Sequence, residues 1–163
     1  MHTYPESFSP RSLADQELAA ALAVLLGNTV VLSFKAQGHH WNVVGPDFTE
    51  YHGFFQSIYE DVSGAIDTIA ENIRKCESYA PYTLLQFAQL SSVEDIDIDG
   101  QPSLMCEDLL EGNFETLRSA MAAFDIANKN NRQGIADDIA ERIGMHEKWD
   151  WQLKAHLTRI GGE

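Results

Sequence analysis

The stretch 51-YHGFFQSIYEDVSGAIDTIAENI-73 decides the reading of this chain. Its apolar members, Tyr51, Phe55, Ile58, Val62, Ile66, Ile69 and Ile73, recur at intervals of three and four. That is the period of an α-helix laid against a core, so the spacing predicts one continuous helix here. The same period appears in Leu18, Leu22, Leu25, Thr29, Leu32 and Ala36, and again in Leu110, Phe114, Leu117, Met121 and Phe124. A last helix is predicted from about Gln133 to Thr158, with Ile135, Ile139, Ile143 and Leu153 near one side.

The punctuation between these runs agrees. Ser12 with Asp15 can open the first helix, and Gly45-Pro46 separates it from the second. Asp47 with Glu50 resembles a capping box. Pro81 stops the second helix, Gly100-Gln101-Pro102-Ser103 introduces the third, and Asn128-Lys129-Asn130-Asn131 makes a turn before the fourth. Between helices two and three lies a crossover of roughly 25 residues; two hairpins joined that way form the ferritin-like kind of four-helix bundle. Within the crossover, Thr83–Leu90 reads as a short helix and Val93–Asp99 as an extended run that builds no sheet. No repeat or second domain is visible: residues 1–163 read as a single all-α domain, with 1–11 a short tail.

The chain has a net charge of −14 and a sequence pI near 4.6. Such a surface repels phosphate backbones and anionic membranes and attracts cations. The first twenty residues hold one basic residue, Arg11, and the last three are Gly161, Gly162 and Glu163, so neither end is a basic arm. Cys76 and Cys106 are too few for a disulfide framework and form no CxxC pair. They read as ordinary thiols of a reducing cytoplasm. The N-terminus lacks the charged and apolar regions of a signal peptide. No apolar run approaches the roughly 20 residues needed to span a bilayer. The expectation is a cytoplasmic protein that uses no membrane.

Metal chemistry is the strongest candidate. Histidines 39, 40 and 52 and the carboxylates of Asp67 and Glu71 are the available ligands. Asp67 and Glu71, four apart, share a helical face and can converge on a cation; they can equally be solvated residues of an acidic protein. Mixed imidazole and carboxylate suits iron or zinc better than calcium. His52 and Asp67 are separated by about 22 Å along a continuous helix axis, so one chain cannot bring both to one ion. Either the two groups are unrelated or the site forms between antiparallel subunits related by a two-fold axis. No glutamate is followed three residues later by histidine, which disfavours a di-iron centre inside the bundle.

The segment His40-Trp41-Asn42-Val43, then Gly45, Asp47-Phe48, His52, Phe55, Tyr59, Asp67, Ala70-Glu71 and Ile73, resembles the Dps mini-ferritins. His146-Glu147-Lys148, Trp151, Leu153 and Ala155-His156-Leu157 resemble that family's last helix, and the similarity runs from about residue 12 to 158. The resemblance implies a homo-oligomer, a dodecameric cage, with ferroxidase centres at dimer interfaces. It implies His40 and His52 as ligands from one chain, and Asp67 and Glu71 as ligands from the other. Trp41 adjoins the centre, either to intercept oxidising equivalents or simply to pack. Gln56 stands where the family often has an aspartate, which weakens a second iron position. His39 is a weak further candidate, because adjacent residues on a helix point about 100° apart. Asp137, Asp138 and Glu141 match an entry pore or else form a solvated face.

The activity implied is ferroxidation: Fe2+ oxidised to Fe3+ by hydrogen peroxide, or more slowly by dioxygen, and stored as mineral. Zinc is a possible competitor. Tight DNA binding is not expected, since affinity for the duplex comes from lysine and arginine. His146 and His156 read as packing or surface residues. Trp149 and Trp151, two apart, cannot both face the core. The competing readings are a metal-sequestering cage without turnover and a zinc-dependent hydrolase on a four-helix bundle.

Overall fold

The structure, a computed structural model, describes residues 12–158; the expected tail, residues 1–11, lies outside the described residues. Ser12 begins the first helix as its position predicts. Its hydroxyl oxygen accepts the Asp15 N–H at 3.0 Å, satisfying a donor that a helix start leaves free. The helices in order are α1 (Leu13–Asn42), α2 (Phe48–Gly64), α3 (Ile66–Lys75), α4 (Leu84–Leu90), α5 (Pro102–Lys129) and α6 (Gln133–Leu157).

α1 is the centre of the bundle and packs against α2, α3, α4 and α5. Its predicted stripe, Leu18, Leu22, Leu25, Thr29, Leu32 and Ala36, is completely buried. Each leucine there contributes about 1.5–3 kcal/mol of transfer free energy. The expectation that no run is apolar enough to cross a bilayer needs correction. By length and composition α1 is, among the described residues, a helix that could do so. The window responsible is 61% buried inside the bundle, so its apolar surface is already used against the other helices.

The long helix expected from Tyr51 to Ile73 is interrupted at Ala65, which separates α2 from α3. Ala65 keeps right-handed helical angles, but its N–H reaches back to Val62 O, one residue tighter than an α-turn. The small residues Ser63 and Gly64 precede it, the kind of sequence at which helices bend. The rod therefore continues with one irregular turn. The capping box expected at Asp47 and Glu50 does not form: Asp47 makes no side-chain cap bond, its backbone lying outside the extended region that a cap requires. The reciprocal box is found instead at α4. Thr83 Oγ1 accepts the Gln86 N–H at 3.2 Å, and Gln86 Oε1 accepts the Thr83 N–H at 3.1 Å.

α5 departs furthest from its predicted face. Phe114 and Met121 are 57% and 52% exposed, and the buried side is lined by Met105, Leu109, Gly112, Asn113, Thr116, Ala120, Ala123 and Ala127. Space on this face is short at Gly112, where a Cβ would stand 3.1 Å from Leu32 and Val93 side-chain atoms. The crossover is held equally tightly. A Cβ on Gly27 would meet Leu90 Cβ at 3.0 Å, and buried Asn28 accepts the Ser92 N–H at 2.8 Å while donating to Ser119 Oγ at 3.0 Å. Residues 93–99 form no strand.

The pairings across the bundle set its directions. Asp15 bonds Arg132, Asn28 bonds Glu115 O, and Lys35 bonds Asp108, so α1 and α5 run antiparallel. Asp61 bonds Arg142 and Asn72 bonds Asp138, so α2–α3 and α6 do too. The bundle that results is two hairpins and a clamped crossover.

Candidate metal centre

Val43 and Val44 leave α1 extended, and Gly45, at φ +123°, turns the chain into α2 in a conformation that favours glycine. The turn lays the start of α2 against the end of α1 and brings His40 and His52 together. His40 Nδ1 donates to His52 O at 2.7 Å, and His52 Nδ1 donates to His40 O at 2.7 Å. A carbonyl oxygen only accepts, so both Nδ1 atoms carry the proton. Each neutral ring then keeps its lone pair on Nε2, the form that binds metal. The two rings stack with centroids 3.7 Å apart. Phe48 covers the other face of His52 at 4.9 Å, and Tyr59 meets His40 edge-on at 5.3 Å. Phe48 and Tyr59 thus restrain the rings.

Asp67 and Glu71 stand exposed on α3, and neither side chain makes a hydrogen bond or ion pair with a described residue. The histidines and these carboxylates are not gathered in one chain. Among the described residues, no three His, Cys, Asp or Glu side chains converge on a metal position. Gln56, one turn after His52, donates from Nε2 to Glu60 Oε1 at 2.7 Å. Trp41 is 64% exposed beside His40.

His39 is turned the other way. It is buried between α1 and α5, with Nε2 2.6 Å from Asp108 Oδ2, while Lys35 Nζ lies 2.7 Å from Asp108 Oδ1. Burial opposes ionisation of Asp108, yet the bonds from His39 and Lys35 hold its carboxyl below the usual range. That nitrogen of His39 is therefore committed to the bundle. Asp137 and Glu141 are exposed on α6, whereas Asp138 accepts from Asn72 at 2.9 Å and pairs with Lys75 at 3.7 Å.

The remaining aromatic and histidine positions divide clearly. Trp149 is buried and donates Nε1–H to Asp61 at 2.7 Å; Trp151 is 65% exposed. His146 is buried against Asn113, and His156 lies against Phe54 and Tyr51. Phe48, Tyr59, Glu60 and Asp108 are the contributors that sequence reasoning left without a role. The four-residue spacing of Gln56 and Glu60 was a readable signal for one of them.

The profile of the ferritin-like domain family matches residues 19–162. The DNA protection during starvation protein of Brevibacillus brevis is 28% identical over 142 residues, covering 87% of this chain and 95% of its own. Antigen TpF1 of Treponema pallidum is 31% identical over 131 residues, covering 78% and 72%. The crystal structure of a Dps protein from Vibrio cholerae, described as one of the ferritin-like diiron-carboxylate proteins, superposes with a TM-score of 0.85 at 26% identity. It spans 89% of this chain and 91% of its own.

Proposed function

The chain belongs to the ferritin-like family, as one of its Dps members, and on that premise we propose that it is an iron-oxidising, iron-storing subunit whose metal site is shared between two chains. The observation that carries the reading is the His40–His52 pair, with both Nδ1 atoms fixed and both Nε2 atoms available. The carboxylates able to complete its coordination, Asp67 and Glu71, are beyond reach along the same chain and make no side-chain bond with a described residue. A neighbouring subunit across a two-fold axis brings one chain's histidines to the other's carboxylates, and makes two equal sites.

The donor set fits iron. Imidazole holds the divalent ion, and carboxylate oxygens favour the harder trivalent product. Hydrogen peroxide is the oxidant assigned: it takes one electron from each of two Fe(II) ions and, with two protons, leaves as two waters. Consuming both reagents together suppresses radical damage, and the Fe(III) passes on as mineral. Asp137 and Glu141 are assigned to cation entry around a three-fold axis of a dodecamer. Trp41 is assigned to the edge of the shared site. Residues 1–163 act as one domain in a reducing cytoplasm, and zinc competes for the same ligands. With Gln56 neutral, a sequestering cage is the second reading, separated by whether oxidation is accelerated.

DNA is not among the assigned partners. Six of the nine lysines and arginines among the described residues are already in ion pairs: Lys35, Lys75, Arg118, Arg132, Arg142 and Lys154. Few remain to neutralise phosphates, so no shift of duplex DNA is expected on a gel at physiological salt with low micromolar protein. A retained complex would overturn this.

The site itself is tested by complementation. His52→Ala and Glu71→Ala variants are each expected to lose the rapid phase of Fe(II) oxidation by peroxide in stopped flow. Unfolded and refolded together, half of the dimers are mixed and each mixed dimer regains one intact site. About a quarter of the original amplitude is then expected. No recovery on mixing would place the ligands within single chains and sink the shared site.

A further inference from the structure

His52, Gln56 and Glu60 follow one another at intervals of four along α2 and so share a face. An amide offers an acceptor oxygen and a donor nitrogen on opposite sides of one carbon, and only the oxygen can approach a cation. Gln56 spends its donor on Glu60, with Nε2 and Oε1 2.7 Å apart. The amide oxygen is thereby turned away from Glu60, while the next turn in the other direction carries His52. Glu60 itself is exposed and makes no other side-chain bond with a described residue.

We infer that Glu60 is a positioning residue, which orients the Gln56 amide so that its oxygen supports a cation held at His52. The inference rests on the shared-site reading. It also gives a physical account of why glutamine works at this position. A carboxylate there has two equivalent oxygens and needs no orientation. It would also face Glu60 as a like charge one turn away, which is unfavourable on a helix. Glutamine needs an acceptor to fix its flip, and Glu60 supplies one.

The test uses Co(II), which does not react with peroxide as iron does, titrated calorimetrically into the assembled protein. Glu60→Ala is expected to weaken Co(II) binding about tenfold, the usual cost of losing a partner that orients a ligand. Glu60→Gln keeps an acceptor oxygen and is expected to stay within about twofold of the original affinity. In a Gln56→Asp background, Glu60→Ala is expected to change affinity by less than about twofold, because nothing remains to orient. Equal losses in Glu60→Ala and Glu60→Gln would show that only charge matters and overturn the inference. So would a tenfold loss that persists beside Asp at position 56. Failure of the underlying site is read separately: His52→Ala would leave Co(II) binding unchanged.

Discussion

His146 and the His40–His52 pair are held by the same device and put to opposite use. In each, a ring Nδ1 donates to a fixed oxygen: Asn113 Oδ1 at 2.8 Å for His146, and each other's backbone carbonyl for the pair. Asn113 cannot be turned round, because its Nδ2 donates to His146 O at 2.9 Å. In its neutral form each of the three rings therefore carries the lone pair on Nε2. What separates them is surroundings. His146 is sealed between α5 and α6, where burial, helped by the nearby Arg142 charge, pushes its pKa down to about 3. The pair sits half-buried at the junction of α1 and α2, where the same lone pair can meet an ion. A locked tautomer is thus common to packing and to ligation, and access to solvent decides between them.

The largest effect that could break this comparison is acid lability. An unfolded chain protonates His146 near pH 6.5, whereas the folded one resists until about pH 3. Stability from this group is full above pH 6.5 and is lost as pH falls toward 3, by as much as about 5 kcal/mol. Asp61 and Asp108, held low despite burial, act only further down, below their ordinary carboxylate value. His146→Gln keeps a polar partner for Asn113 and cannot titrate. Denaturant melts of this variant are expected to lose the slope between pH 6.5 and 4; an unchanged slope would mean that His146 is not the group responsible.

A smaller effect separates packing from binding. Asn113→Leu leaves His146 Nδ1–H without its acceptor and is expected to cost about 2–3 kcal/mol of stability. Co(II) affinity should not change. The complementary substitution, His52→Ala, should weaken Co(II) binding at least tenfold, about 1.4 kcal/mol, while shifting the melt less than Asn113→Leu does. If the two substitutions swapped effects, the assignment of roles would be reversed. The smallest expected change is at Phe48, stacked on His52. Phe48→Leu should reduce Co(II) affinity by a few-fold, about 0.5–1 kcal/mol, through a less restrained ring.

Much of this was legible in advance, for reasons that differ by element. The α1 stripe was read correctly because one helix meets partners on several sides and uses large aliphatic residues to do it. α5 departs from its predicted face because its buried side uses Gly112, Ala120 and Ala123, with the Leu32 and Val93 side chains close against Gly112, while hydropathy draws the eye to Phe114 and Met121. Angular separation set His39 and His40 apart, and only the resemblance said which of them is the ligand candidate. The reciprocal bonds between His40 and His52 could not be read, since they depend on how Gly45 returns the chain. The break at Ala65 was likewise invisible to a period that runs unbroken through it.

That break has a mechanical consequence for the proposed assembly. His40 lies at the end of α1, His52 on α2 and the carboxylates on α3, so each shared site would join the α1–α2 junction of one subunit to α3 of the other. A bend at Ala65 would then move the carboxylates of one site while leaving that subunit's own histidines in place. Two-fold symmetry would repeat the motion at the second site. The irregular turn would then act as a vernier, through which the two sites of a pair would be tuned in step.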